Sequence, residues 1–164
     1  MGDLKLETAL PVIRDYLARQ PEVVLAYLYG SYAVGQEWAE SDLDVGVLFE
    51  ERESSYDVFR QALRHAAELQ SRLGGIEIDL RELNGAPVEF LMQVIKPNRC
   101  LYARSERERV QFETRVIREY LDFKPVLDEY YSQLRRRLKE GRFSARLTKY
   151  IEQTRAAVER ARET

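Results

Sequence analysis

Seven consecutive apolar residues, Val23-Val24-Leu25-Ala26-Tyr27-Leu28-Tyr29, stop abruptly at Gly30-Ser31. Alternate side chains of a strand point to opposite faces, so an uninterrupted apolar run rich in β-formers makes a strand buried on both sides. Such a strand needs a packed layer above and below it, and the flanking sequence offers helices for both. Leu4, Leu10, Ile13 and Leu17 share one face of a helix over 4–19, with Pro11 placed in its first turns and Pro21 ending it. Past Gly30-Ser31 comes a turn-like stretch to Ser41 with room for a short helix. A second strand spans Leu43 to Phe49. A helix over 54–73 follows, with Ser54 or Ser55 as its cap and Gly74-Gly75 as its stop. Ile76-Glu77-Ile78-Asp79-Leu80 alternates with period two, which predicts a third strand with one apolar and one acidic face. Residues 87–95 suit a short helix closed by Pro97, and Cys100-Leu101-Tyr102 a last edge strand.

From Ser105 onward the pattern turns to long helices. Residues 105–121 and 125–139 read as two, separated by Pro125, and Gly141 ends the second. A very polar helix is predicted over 145–162, with Leu147, Tyr150, Ile151 and Val158 as its few apolar positions. This order predicts the α/β class: a small mixed β-sheet flanked by helices, followed by C-terminal helices. The expected division is a core over 1–103 and a helical segment over 104–164 that packs on the core and on a partner.

Charge follows the same division. Residues 1–103 hold 10 Lys/Arg against 17 Asp/Glu, a net of −7, whereas 104–164 hold 16 against 11, a net of +5. An acidic front half argues against a nucleic-acid surface there, because phosphate backbones require neutralisation by Lys and Arg. It is what a site for divalent cations would display. One cysteine, Cys100, excludes a disulfide framework and a cysteine-rich zinc site. No apolar run reaches membrane-span length and the opening residues lack a signal-peptide core, so a cytoplasmic location is expected.

Three features carry the chemistry. Gly30-Ser31 directly follows the buried strand, where glycine permits close approach of backbone to a phosphate and serine adds a hydroxyl. Asp42 and Asp44, two apart at the start of the second strand, point to one side and can grip one cation or a bridged pair. Asp79 lies on the acidic face of the third strand, beside Glu77. If that strand neighbours the second, three carboxylates gather at one end of the sheet. Such like charges repel unless a cation is present, and Mg²⁺ prefers oxygen ligands while leaving positions open for triphosphate oxygens. The implied chemistry is in-line phosphoryl or nucleotidyl transfer.

The stretch Gly30-Ser31-Tyr32-Ala33-Val34-Gly35, then Ser41-Asp42-Leu43-Asp44-Val45, resembles the signature of the DNA polymerase β-type nucleotidyltransferases. Ile78-Asp79-Leu80, Leu83-Asn84-Gly85-Ala86-Pro87, Tyr120-Leu121-Asp122-Phe123 and Gly141-Arg142-Phe143 are similar to the minimal nucleotidyltransferase antitoxins (MntA-like) of the HEPN/MNT toxin–antitoxin pairs. The resemblance covers about residues 5–143. It implies that Gly30 and Ser31 hold the β/γ-phosphates of ATP, that Asp42 and Asp44 bind magnesium, and that Asp79 completes the metal site and helps deprotonate the acceptor. It further implies a cognate HEPN ribonuclease toxin as partner, in a hetero-oligomer, with a toxin tyrosine adenylylated and pyrophosphate leaving. Two other readings compete: transfer to a small-molecule hydroxyl, and a non-catalytic module that merely masks the toxin.

Other signals weigh less. Arg60 and His65 form an Arg-x4-His pattern, but residues five apart sit about 140° around a helix and do not share a face. Arg135-Arg136-Arg137 fan over about 200° of helix and read as a solvated face, with contact to RNA or a partner as the alternative. Tyr29 and Tyr32 flank the nucleotide loop, with packing as their expected role and contact with a base as the alternative. Arg81 and Lys96 both lie near the site in sequence as candidates to meet phosphate.

Overall fold

A computed structural model describes residues 2–36, 41–50, 55–74 and 76–139. The elements run α1 (Gly2–Leu17), β1 (Val23–Leu28), α2 (Gly30–Val34), β2 (Leu43–Phe49), α3 (Ser55–Arg72), β3 (Ile78–Glu82), α4 (Val88–Ile95), β4 (Cys100–Ala103) and α5 (Glu106–Lys139). The four strands form one mixed sheet in the order β3-β2-β1-β4. β1 is antiparallel to β2 and β4, while β2 and β3, joined through α3, are parallel. This is the predicted α/β arrangement. The first compact unit reaches Tyr120, and a second begins at Leu121.

β1 explains the layering. All six of its residues are buried, because each face of the sheet carries its own core. Val23, Ala26 and Leu28 join Leu43, Val45, Val47 and Phe49 of β2 under α1 and α3, with Ile13, Leu17 and Leu69 fully enclosed. Leu25, Tyr27 and Tyr29 face the other way, toward Leu91, Val94 and Ile95 of α4 and Phe112 and Val116 of α5. Gly46 of β2 lies on that second face. A Cβ there would stand 2.9 Å from Leu83 Cδ2 and 3.2 Å from Val94 Cγ1, so glycine lets α4 and the end of β3 close onto the sheet. Asn84 locks the same corner, its Oδ1 accepting from the Phe49 N–H and its Nδ2 donating to the Phe49 carbonyl, both at 2.9 Å.

Three expectations need correction. The third strand is Ile78–Glu82, not 76–80, because its ladder is fixed by parallel pairing with β2, from Leu43↔Ile78 to Val47↔Glu82. Glu77 lies before the strand and only its carbonyl joins, accepting from Leu43 N–H at 2.9 Å. The two helices expected on either side of Pro125 are one helix of 34 residues. Proline lacks one N–H, so α5 forgoes the single bond to the Leu121 carbonyl and otherwise continues. Pro11 likewise sits in the interior of α1, well past the first turns assigned to it, at an exposed position. The polar helix expected over 145–162, and Gly141, lie outside the described residues. Among the described residues no helix is long and apolar enough to cross a membrane.

Candidate active site

Strand polarity gathers the candidate residues. β1 runs antiparallel to β2, so the C-terminal end of β1 meets the N-terminal end of β2, where Leu28 pairs with Val45 and Tyr29 N–H donates to the Asp44 carbonyl at 3.0 Å. β3 runs parallel to β2 and begins at the same end. Asp44 and Asp79 are directly paired in that ladder, hence they stand on the same face of the sheet on adjacent strands, about 5 Å apart at their backbones. The face is the one covered further along by α4. Asp42 sits two residues before Asp44, exposed, just outside β2.

Gly30 closes the gap between the loop and the carboxylates. Its φ is +68°, a region in which a Cβ is strained, and a Cβ built there would stand 2.0 Å from Asp44 Oδ2. The glycine is therefore required twice, by backbone conformation and by the carboxylate lying against it. Ser31 follows in α2, half-buried, and its carbonyl receives the N–H groups of Gly35 and Gln36 that end this single turn.

Charge is concentrated here. Burial pushes the Asp44 carboxyl above the usual carboxylate range, and the charges of Asp79 and Asp42 push it further, against a lowering pull from Arg81. Asp79 is compensated differently. Arg81, two residues on and on the same face, donates from Nε to Asp79 Oδ2 at 2.9 Å, and Asp79 holds the guanidinium above its ordinary value. The sequence placed Arg81 and Lys96 on equal terms. Strand alternation decides between them, because Arg81 shares the face of Asp79, whereas Lys96 lies at the C-terminal end of α4.

As they stand, the three aspartates are not a ready-made three-ligand cage. Among the described residues no three carboxylate, histidine or cysteine groups lie close enough to hold a metal ion. Asp79 is turned to Arg81, and Asp42 is out in solvent. The donor set nevertheless suits magnesium, being hard carboxylate oxygens, and the elevated Asp44 is the group whose ionised form a cation would stabilise most.

The Polymerase beta, Nucleotidyltransferase family model matches residues 12–107, an interval that contains every one of these positions. The chain belongs to the polymerase beta nucleotidyltransferase family. It is thus a nucleotidyltransferase by family, built on that family's mixed sheet. Among polymerase beta nucleotidyltransferases of known activity it is similar to the protein adenylyltransferase MntA of Shewanella oneidensis, 26% identical over 120 residues, covering 73% of this chain and 80% of that one. Solved structures share the fold. A mutant of the toxin–antitoxin MntA–HpeT complex aligns with a TM-score of 0.56 at 22% identity, over 76% of this chain and 97% of the other. The MNT antitoxin bound to a tri-AMPylated Shewanella oneidensis HEPN toxin aligns at 0.50 and 22%, over 80% and 99%. A toxin–antitoxin complex with AMP-PNP aligns at 0.51 and 22%, also over 80% and 99%.

The histidine of the Arg-x4-His pattern belongs to a different place. His65 is fully buried between α3, α1 and the start of β1, accepting from Tyr16 Oη at its Nδ1 (2.8 Å) and meeting Glu22 Oε1 through Nε2 (3.2 Å). A carboxylate only accepts, so Nε2 carries the proton. Arg60 is exposed and lies over the Tyr56 ring. The pair does not form a site.

Proposed function

We propose that this chain is a magnesium-dependent adenylyltransferase that moves AMP from ATP onto a tyrosine of a cognate HEPN-type toxin and so silences it. The observation that carries this reading is the register of Asp44 against Asp79 beside Gly30, within a chain of this family and similar to a protein adenylyltransferase. Asp42, Asp44 and Asp79 would hold the magnesium, and Gly30 and Ser31 the triphosphate. Bound there, magnesium would neutralise phosphate charge and polarise the bond to the leaving pyrophosphate.

The protein's own residues do the rest by position. Gly30 keeps the loop pressed against Asp44, so the phosphates and the carboxylates share one end of the sheet. Arg81 is the cation within reach. Both it and Asp79 are more than a third exposed, so their ion pair contributes only about 0–1 kcal/mol. So weak a pair would not keep Asp79 from serving as a cation ligand, and the Arg81 guanidinium could then meet phosphate oxygens with its planar fork. Asp79 would complete the metal site and help deprotonate the acceptor hydroxyl. Such a transfer needs alignment and charge neutralisation rather than covalent participation by the enzyme.

The test is to mix the purified chain with ATP, magnesium and its candidate HEPN-type partner, then weigh the partner by mass spectrometry. The expected result is a mass increase of one or more AMP groups on a tyrosine of the partner. An unmodified partner that is nonetheless inhibited would support a masking module instead.

A further inference from the structure

Tyr29 is the last residue before Gly30 and stands on the sheet face that carries Asp44 and Asp79. Two anchors fix it. Its N–H donates to the Asp44 carbonyl at 3.0 Å, and its ring meets Phe90 of α4 edge-on, with centroids 5.4 Å apart and planes at 89°. The residue is 9% exposed, yet its buried hydroxyl has no hydrogen-bond partner among the described residues. A phenylalanine would fill the same ring space without desolvating an unpaired hydroxyl.

The surroundings indicate what the hydroxyl awaits. Burial, then the charge of Asp44, and to a lesser degree Asp79, push the phenol up to about 12, against the opposing pull of Arg81. As a phenol it donates without adding charge to the site. Asp79 already has Arg81, whereas no hydrogen bond among the described residues ends on the Asp44 carboxylate. Among the described residues, a buried donor without an acceptor and a carboxylate without a donor thus stand on one face, on neighbouring backbone positions joined by the Tyr29 N–H to Asp44 carbonyl bond.

We propose that Tyr29 is a positioning residue for Asp44, its phenol donating to the carboxylate oxygen that a bound divalent cation leaves free. This rests on the cation-site reading of Asp42, Asp44 and Asp79. A neutral donor suits the task better than Arg81, because it orients the carboxylate without cancelling the charge that attracts the cation. Donors of this kind behind a metal ligand are worth about 10–100-fold in metal affinity or activity.

The experiment uses the full chain and calorimetry of a non-hydrolysable ATP analogue, titrated with Mn²⁺ and again in EDTA. The metal-dependent gain in analogue affinity is compared for wild type, Tyr29→Phe and Asp44→Asn, with Tm measured for each. The expected pattern is a clear gain in wild type and none in Asp44→Asn. In Tyr29→Phe the gain shrinks about 10–100-fold, with the metal-free affinity unchanged and Tm equal or higher because an unpaired hydroxyl has been removed. A full gain in Tyr29→Phe overturns the positioning role, as does a shrunken gain accompanied by a fall in Tm, which would assign the phenol to packing. Absence of any metal-dependent gain in wild type overturns the cation site itself, a separate failure from that of Tyr29.

Discussion

Gly30 and Asp44 define each other at the level of single residues. The glycine's positive φ and the 2.0 Å separation of a notional Cβ from Asp44 Oδ2 leave no place for a side chain. Gly30→Ala is expected to cost about 1–3 kcal/mol through backbone strain and collision with the carboxylate. In urea denaturation its midpoint should fall accordingly, and AMP transfer should be lost with it. Asp44→Asn should behave in the opposite way. Asp44's carboxyl is raised by burial and by Asp79 and Asp42, so its ionised form is less favourable in the fold than in the unfolded chain. For such an acid, stability declines as pH rises from the ordinary Asp value through the elevated folded one, and the loss is complete above it. Without divalent cation at pH 7, the asparagine variant should therefore be at least as stable as wild type while transferring no AMP. A less stable Asp44→Asn would show that this carboxylate holds the fold together. That Gly30 and the aspartates come to one end of the sheet was readable from spacing and strand pattern. Tyr29 was not, because a tyrosine closing an apolar run looks like core until its unpaired hydroxyl is seen.

At the level of elements, the strands were legible because burial on both faces leaves a continuous apolar run and half-burial leaves alternation. β3 was misplaced by two residues because Ile76 continues the alternation although the ladder with β2 begins at Ile78. Pro125 misled for the opposite reason, since a proline forbids one hydrogen bond and a long helix tolerates that. The joint between α1, α3 and the start of β1 carries a prediction of its own. His65 is pushed below its ordinary value by burial first and by Arg64 next, with Glu22 pulling upward. It is neutral at pH 7, so Nε2–H gives Glu22 a neutral hydrogen bond while Arg64 supplies the ion pair. Glu22 is held below its ordinary value by its backbone hydrogen bond, His65 and Arg64, against burial. For His65, stability is present above the unfolded value of 6.5 and is lost as pH falls through it toward the folded value; for Glu22, the loss follows below 4.5. Denaturation midpoints measured from pH 8 to 5 should drop below about 6.5, and His65→Phe should flatten that part of the curve. An unchanged slope in the variant would place the sensitivity elsewhere.

For the whole molecule, the acidic front half and basic back half acquire a meaning. Residues 1–103 carry the −7, and with it the carboxylates of the candidate site, while residues 104–164 carry the +5; within the latter, α5 exposes Val110, Ile117, Leu121, Val126, Tyr130 and Leu138. We propose that residues 104–164 contact the partner, a role the chemistry of the front half does not require. Family membership was legible because the Gly-Ser pair just past β1, the Asp-x-Asp pair at the start of β2 and the third aspartate in β3 are brought to one end by the antiparallel β1–β2 and parallel β2–β3 pairings. The side-chain state of the site was not, since whether Asp79 faces a cation or Arg81 depends on rotamers that spacing does not encode. Masking and modification make different demands on the carboxylates. If the partner is silenced by modification, the double variant Asp42→Asn/Asp44→Asn should bind it and fail to neutralise it in co-expression. Full neutralisation by that variant would leave only masking.

The most direct measurement follows the phosphorus atoms. Parallel reactions with ATP labelled at the α- or the γ-phosphate, magnesium and the HEPN-type partner should place α-label on the partner and release γ-label as pyrophosphate. Both signals should vanish in Asp44→Asn and in Asp79→Asn. Label from the γ-phosphate on the partner, or α-label that persists when either aspartate is replaced, would contradict a nucleotidyl transfer built on these carboxylates.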